Sequence, residues 1–201
     1  MSAISTGSAP FGVVDTHAHV FHAEVLGACG NAGPELSIDA AGQQVIRAGS
    51  YSIGGVSFAG SPMSDLDQRL ALMDRMGITM QVVSPYPMLY FYDQPAEVAA
   101  KFCARHNDAT AALVGRSARR LAGLATLPMQ DPAAARAELV RALDDLGLRG
   151  VAMGGRFGER ELSDRVYDPL WEVLAERRLP VYVHPGPLDG MGRKFPRWDL
   201  E

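Results

Sequence analysis

The sequence predicts an α/β protein of the (β/α)8 TIM-like barrel type that carries about five of the eight βα units. Five short apolar runs alternate with four segments of helical periodicity, the pattern of successive βα units around a parallel sheet. Histidines stand at the ends of the first and fifth runs, where the loops of a barrel mouth converge. The turn after the first run reads His17-Ala18-His19-Val20-Phe21, which is not the glycine-rich turn of a doubly wound nucleotide binder. A closed barrel typically needs ~250 residues. The 201 residues therefore read as roughly the first five-eighths of one.

The strands are expected over Gly12 to His17, Ile78 to Ser84, Leu121 to Leu127, Arg149 to Met153 and Pro180 to His184. The first helix runs from Asp65 to Met76, with Leu66, Leu70, Met73 and Met76 at three- and four-residue spacing and Gly77 as its stop. Helices follow over Pro95 to about Ala118, Pro132 to Leu146 and about Tyr167 to Arg178. Asp93 ahead of Pro95, and Asp131 followed by Pro132, supply start signals for two of them. Residues 1–10 read as a flexible N-terminus and 11–201 as part of one barrel. The stretch from about 20 to 64 is rich in Gly, Ser and Ala. It is expected to be an irregular loop that caps the site, since loops this long are commonly lids or binding loops.

Composition narrows the function classes. With 47% hydrophobic and 21% charged residues the chain can bury one sizeable core. A net charge of −4 with mixed signs provides no general attraction to nucleic acid or anionic membrane, so a small molecule is the expected partner. Cys29 and Cys103 lie far apart without a C-x-x-C pairing, which argues against a disulfide scaffold or zinc ribbon. The first ten residues lack a signal peptide's basic start and apolar core, and no apolar run approaches the ~18 residues of a membrane span. A cytoplasmic location is expected.

The chemistry-bearing motif is Asp15-Thr16-His17-Ala18-His19. Two histidines at i and i+2 on a strand face the same side, so both can reach one small ion. His184, ending Val181-Tyr182-Val183-His184-Pro185, offers a third nitrogen, and three ligands with an open position form a catalytic type of metal site. The contrary reading is a pair of core histidines, but two imidazoles on one strand face are costly to bury without partners. Asp15 is read on the same face, either orienting a ligand or ending the strand. His22 is assigned to a loop and His106 to a helix surface.

Further motifs occur in order along the chain: Val14 to His19, Arg69-Leu70-Ala71-Leu72-Met73-Asp74-Arg75-Met76-Gly77-Ile78, Leu124 to Pro132, Leu148-Arg149-Gly150-Val151, and Tyr167-Asp168-Pro169-Leu170-Trp171 leading to Val183-His184-Pro185. Together they resemble the amidohydrolase-related (amidohydrolase 2) family typified by aminocarboxymuconate-semialdehyde decarboxylase. The resemblance implies a distorted barrel of the metal-dependent hydrolase type with one divalent metal, usually zinc and in some relatives manganese. His17 and His19 match its strand-one ligands and His184 its strand-five ligand. It further implies a proton-transferring histidine after strand six and a ligand aspartate after strand eight. Neither has a counterpart here, because Asp189 and Asp199 come too early. With Lys101 and Lys194 as the only lysines, neither placed to bridge two ions, a single metal is expected.

The implied activity is non-oxidative decarboxylation of a small unsaturated or aromatic carboxylic acid. The alternatives are hydrolysis or hydration, and a truncated non-catalytic chain. A homodimer is an expectation for the full-length form. The family holds its substrate carboxylate with an arginine in the loop after strand one, whose matching position here is Gly54; Arg47 is that loop's only arginine. Arg156, just past strand four, is a second candidate for a bidentate carboxylate contact. Tyr86, with Tyr90, Phe91 and Tyr92 after strand two, suits either a planar substrate or packing beneath the loop. A half barrel would leave its outer strand edges open and apolar faces uncovered.

Overall fold

The computed structural model describes residues 12–185. The segment 1–10 and the tail residues Asp189, Lys194, Asp199 and Glu201 lie outside the described residues. Five strands form a parallel series: β1 (Val13–Val20), then, after the three strands β2–β4 described below, β5 (Ile78–Pro85), β6 (Leu121–Gly123), β7 (Val151–Met153) and, after a short hairpin, β10 (Val181–Val183). β1 pairs with β5, β5 with β6, and β7 with β10, all parallel. Ala125 bridges β6 to β7 in the same sense, with its N–H donating to the Gly150 carbonyl at 2.9 Å. Sequence order and spatial order therefore coincide, as in the wall of a barrel.

The helices between them follow the expected positions. α1 (Leu66–Met76) starts at Asp65, whose carboxylate accepts from the Gln68 N–H at 2.9 Å, and stops at Gly77 with φ 69°. α2 (Ala96–Arg116) begins directly after Pro95 with no side-chain cap, so Asp93 does not serve as its start. α3 (Pro132–Asp144) has the expected cap: Asp131 accepts from the N–H groups of Ala133 and Ala134, both at 3.0 Å. α4 (Asp168–Glu176) follows the hairpin of β8 (Arg156–Phe157) and β9 (Arg160–Glu161).

Two expectations of the sequence need correction. β6 ends at Gly123, with one further bridge at Ala125, and does not reach Leu127, because the backbone of Thr126 is bound on both sides by the Asn107 amide of α2 instead of by a neighbouring strand. The stretch 20–64 is not irregular. Two short 3-10 turns lead into an antiparallel meander of β2 (Glu35–Ile38), β3 (Gln44–Ala48) and β4 (Tyr51–Gly54).

Three apolar clusters hold this frame. Ala18 and Val20 of β1 pack with Met73 of α1, Val83 and Leu121. Phe21, Ile46 and Phe58 pack with Phe102 of α2, which fastens the meander to the wall. The largest cluster joins α3, α4 and β7 around Leu139, Met153 and Tyr167. Among the described residues β1 and β10 lie at the outer edges of this series, with Val13, Val14, Val181 and Val183 all exposed.

Candidate metal centre

β1 and the end of β10 bring His17, His19 and His184 together. Their ring centroids form a nearly equilateral triangle, with sides of 5.0, 5.1 and 5.1 Å. One ligand atom from each lies within 4.8 Å of the others. The Nε2 atoms of His17 and His19 are 3.2 Å apart. Two nitrogens bound at roughly 2.0–2.1 Å to a tetrahedral ion would be about 3.3 Å apart, so the pair fits a first-row divalent ion.

The surrounding carbonyls decide which ring nitrogens keep a free lone pair. His19 Nδ1 lies 3.1 Å from the Pro85 carbonyl, which can only accept, so Nδ1 carries the proton and Nε2 is left as the lone-pair donor. His184 Nδ1 meets the Pro185 carbonyl at 2.7 Å, with the same consequence. Burial, then the neighbouring His184 and His17, push the His19 imidazole down to about 4. It is therefore neutral at neutral pH, the form in which an imidazole can take a metal.

A cavity of about 490 Å³ opens on this triangle, lined by the three histidines with Tyr51, Tyr86, Pro87, Met88 and Pro185. Tyr86 meets His19 edge to face at 5.5 Å, and burial, then Tyr51, holds its phenol above the usual value. Tyr86 thus lines the cavity, whereas Tyr90, Phe91 and Tyr92 are buried in the cores. Arg47 and Arg156 are not among the lining residues. Arg47 pairs with Glu35 at 2.8 Å across the meander, and Arg156 lies 4.0 Å from Glu161 in the β8–β9 hairpin.

Sequence reasoning missed Tyr51, Pro87 and Met88; an aromatic on a short half-buried strand such as β4 carries no periodic signal. Asp15 does not share the face of the histidines. The β1 register slips by one residue between Asp15 and Ala18 against β5, and this bulge turns the carboxylate toward Gln81 and α1. His22 lies in a loop, as expected, but is buried, and His106 is buried in α2 rather than on the helix surface. They meet across the Thr110 hydroxyl at 2.9 and 3.3 Å, and burial holds both well below the usual histidine range.

The chain is similar to several decarboxylases. It is 34% identical over 121 residues to a decarboxylase of Emericella nidulans, covering 59% of this chain and 35% of that protein. It is 29% identical over 134 residues to the 2-amino-3-carboxymuconate-6-semialdehyde decarboxylase of Dictyostelium discoideum, covering 67% and 37%. Among solved structures, the dihydroxybenzoic acid decarboxylase of Polaromonas with bound manganese and the inhibitor 2-nitroresorcinol superposes with a TM-score of 0.65. That match has 25% identity and covers 89% of this chain and 52% of the other. The chain spans little more than a third of the length of these two curated relatives. A model of the family described as Amidohydrolase matches residues 14–200, nearly the whole chain, and the chain belongs to that amidohydrolase family.

Proposed function

We propose that the protein is a metal-dependent decarboxylase acting on a small aromatic or unsaturated carboxylic acid through a single divalent ion held by His17, His19 and His184. The observation that carries this reading is the near-equilateral imidazole triangle opening on a cavity walled by Tyr51 and Tyr86. Decarboxylase relatives, one of them a manganese complex, support both the ion and the reaction class. Zinc is the metal we propose from three nitrogen ligands, with manganese as the competitor.

Such an ion supplies Lewis-acid polarisation of a bound carboxylate or carbonyl and lowers the pKa of a bound water. The chain's own groups do the positioning. His19 and His184 are each held in one tautomer by a carbonyl at Nδ1, so Nε2 of each keeps the lone pair that would hold the ion. The Tyr86 and Tyr51 rings offer flat apolar walls to a planar substrate, and Tyr86, kept protonated, can donate to it. Residues 20–64, which deliver Tyr51, cap this side of the cavity in our reading. No carboxylate lines the cavity among the described residues. Two buried free cysteines accord with action in the cytoplasm.

The test is turnover of a panel of hydroxybenzoates and unsaturated dicarboxylates by the full-length protein, after chelation and after return of zinc or manganese. Metal-restored release of carbon dioxide is expected. Metal-dependent loss of substrate without carbon dioxide would replace decarboxylation with hydrolysis, and turnover indifferent to chelation would defeat the metal assignment.

A further inference from the structure

We propose that Arg69 of α1 is a positioning residue for the metal centre, holding His17 and His19 at ligating distance by locking the bulge in β1. This rests on the metal-site reading above. Arg69 is 5% exposed, on the core-facing side of its helix, where a charge is costly to bury unless fully partnered. It has two partners on two strands. Nη2 donates to the His19 carbonyl at 2.6 Å, and Nη1 donates to Gln81 Oε1 at 2.5 Å.

The contacts continue around the bulge. Gln81 Nε2 donates to Asp15 Oδ2 at 2.8 Å, and Asp15 Oδ1 accepts from the His17 N–H at 3.0 Å. The sequence of contacts therefore begins on the carbonyl of one ligand histidine and ends on the N–H of the other. Asp15 also supplies the negative charge that balances the guanidinium through Gln81. A bulge normally leaves one residue unpaired and the strand free to bend. Here Arg69 ties the backbone of both histidines to α1 and β5. A lysine has one point charge and no planar fork, so it cannot reach both acceptors with the same geometry.

The experiment measures binding of Zn²⁺ and Co²⁺ alone to the full-length protein, by competition with a chromophoric chelator, together with the visible spectrum of the Co²⁺ form. Arg69→Met and Gln81→Leu are each expected to weaken binding by roughly 10–100-fold, the range seen when groups behind metal ligands are removed. They should also alter the Co²⁺ absorption bands while the metal-free secondary structure is retained. Arg69→Lys should recover part of the affinity. The double variant should bind no worse than Arg69→Met alone, because both members belong to one connected set.

Wild-type affinity and an unchanged Co²⁺ spectrum in both single variants would overturn the proposal. If Arg69→Met fails to fold, Gln81→Leu decides by the same two readouts. His184→Ala is run alongside. Its binding metal as well as wild type, or a wild type that binds none, would defeat the metal site itself. Loss of metal in His184→Ala with full retention in the Arg69 and Gln81 variants would defeat only the role given to Arg69.

Discussion

Gly150 passes so close to Pro180 that a Cβ added at Gly150 would lie 2.5 Å from the Pro180 carbonyl oxygen. This contact sits where β7 meets β10, the strand that delivers His184. Gly150 also has φ 153°, which side-chain-bearing residues rarely adopt. Gly150→Ala therefore adds both a clash with backbone and a conformational strain, together about 1–3 kcal/mol or more. The expected outcome is a lower urea midpoint and, because β10 must move, weaker metal retention than in wild type. Equal metal affinity at reduced stability would show that β10 can shift without carrying His184 off the site.

His17→Ala and His184→Ala each remove one corner of the imidazole triangle while leaving the apolar clusters untouched. Two nitrogens hold a divalent ion far less well than three. The loss should exceed the roughly 10–100-fold that accompanies removal of a supporting hydrogen bond. Elemental analysis of dialysed protein is expected to find wild-type metal near one equivalent and each variant near none. Unchanged metal content in either variant would remove that histidine from the site.

The buried pair His22 and His106 sets an acid limit on the fold. Burial lowers His22 from 6.5 to about 4, opposed by Glu24 and reinforced by Arg69 and Arg116, while His106 is held well below its usual value by burial and by His22. Well above pH ~6.5 neither folded nor unfolded chain protonates these rings, and stability from this source is complete. As pH falls from 6.5 towards 4 the unfolded chain takes up protons that the folded chain does not, so stability falls. His22 alone accounts for on the order of 3 kcal/mol by pH 4. Urea unfolding in chelator across this window should therefore show a steep loss in wild type and a shallower one in His22→Gln. Parallel slopes would show that His22 is not the group responsible.

The legible part of this molecule was its periodicity. Leu66, Leu70 and Met73 marked α1, the Asp131-Pro132 pair marked the start of α3, and the His17–His19 spacing with His184 marked the site. What escaped depends on pairing between distant segments. The bulge after Asp15 exists only in the register of β1 against β5, and it reverses the face on which Asp15 lies. The strands β2–β4 are four or five residues long and largely half-exposed, too short for alternation to stand out. Two signals were visible in retrospect: Arg69 interrupts the apolar stripe of α1, and Gln81 the apolar run of β5. A polar residue at a core position implies a buried partner.

Tyr86 separates substrate binding from metal binding. Its ring makes T-shaped contacts with His19 at 5.5 Å and with Phe58 at 5.6 Å, so its position is fixed from two sides where it lines the cavity. An aromatic pair of this kind contributes ~0.5–1.5 kcal/mol beyond area burial, or about two- to tenfold in affinity. Tyr86→Leu should therefore raise KM for an aromatic carboxylate by that factor, with metal content unchanged because no ligand is removed. Tyr86→Phe should keep KM near wild type, since the ring remains, and a drop in its kcat would mark the phenol as a hydrogen-bond donor to the substrate. Loss of metal in Tyr86→Leu would instead make the ring a support for His19, and the aromatic wall of the cavity would need another function.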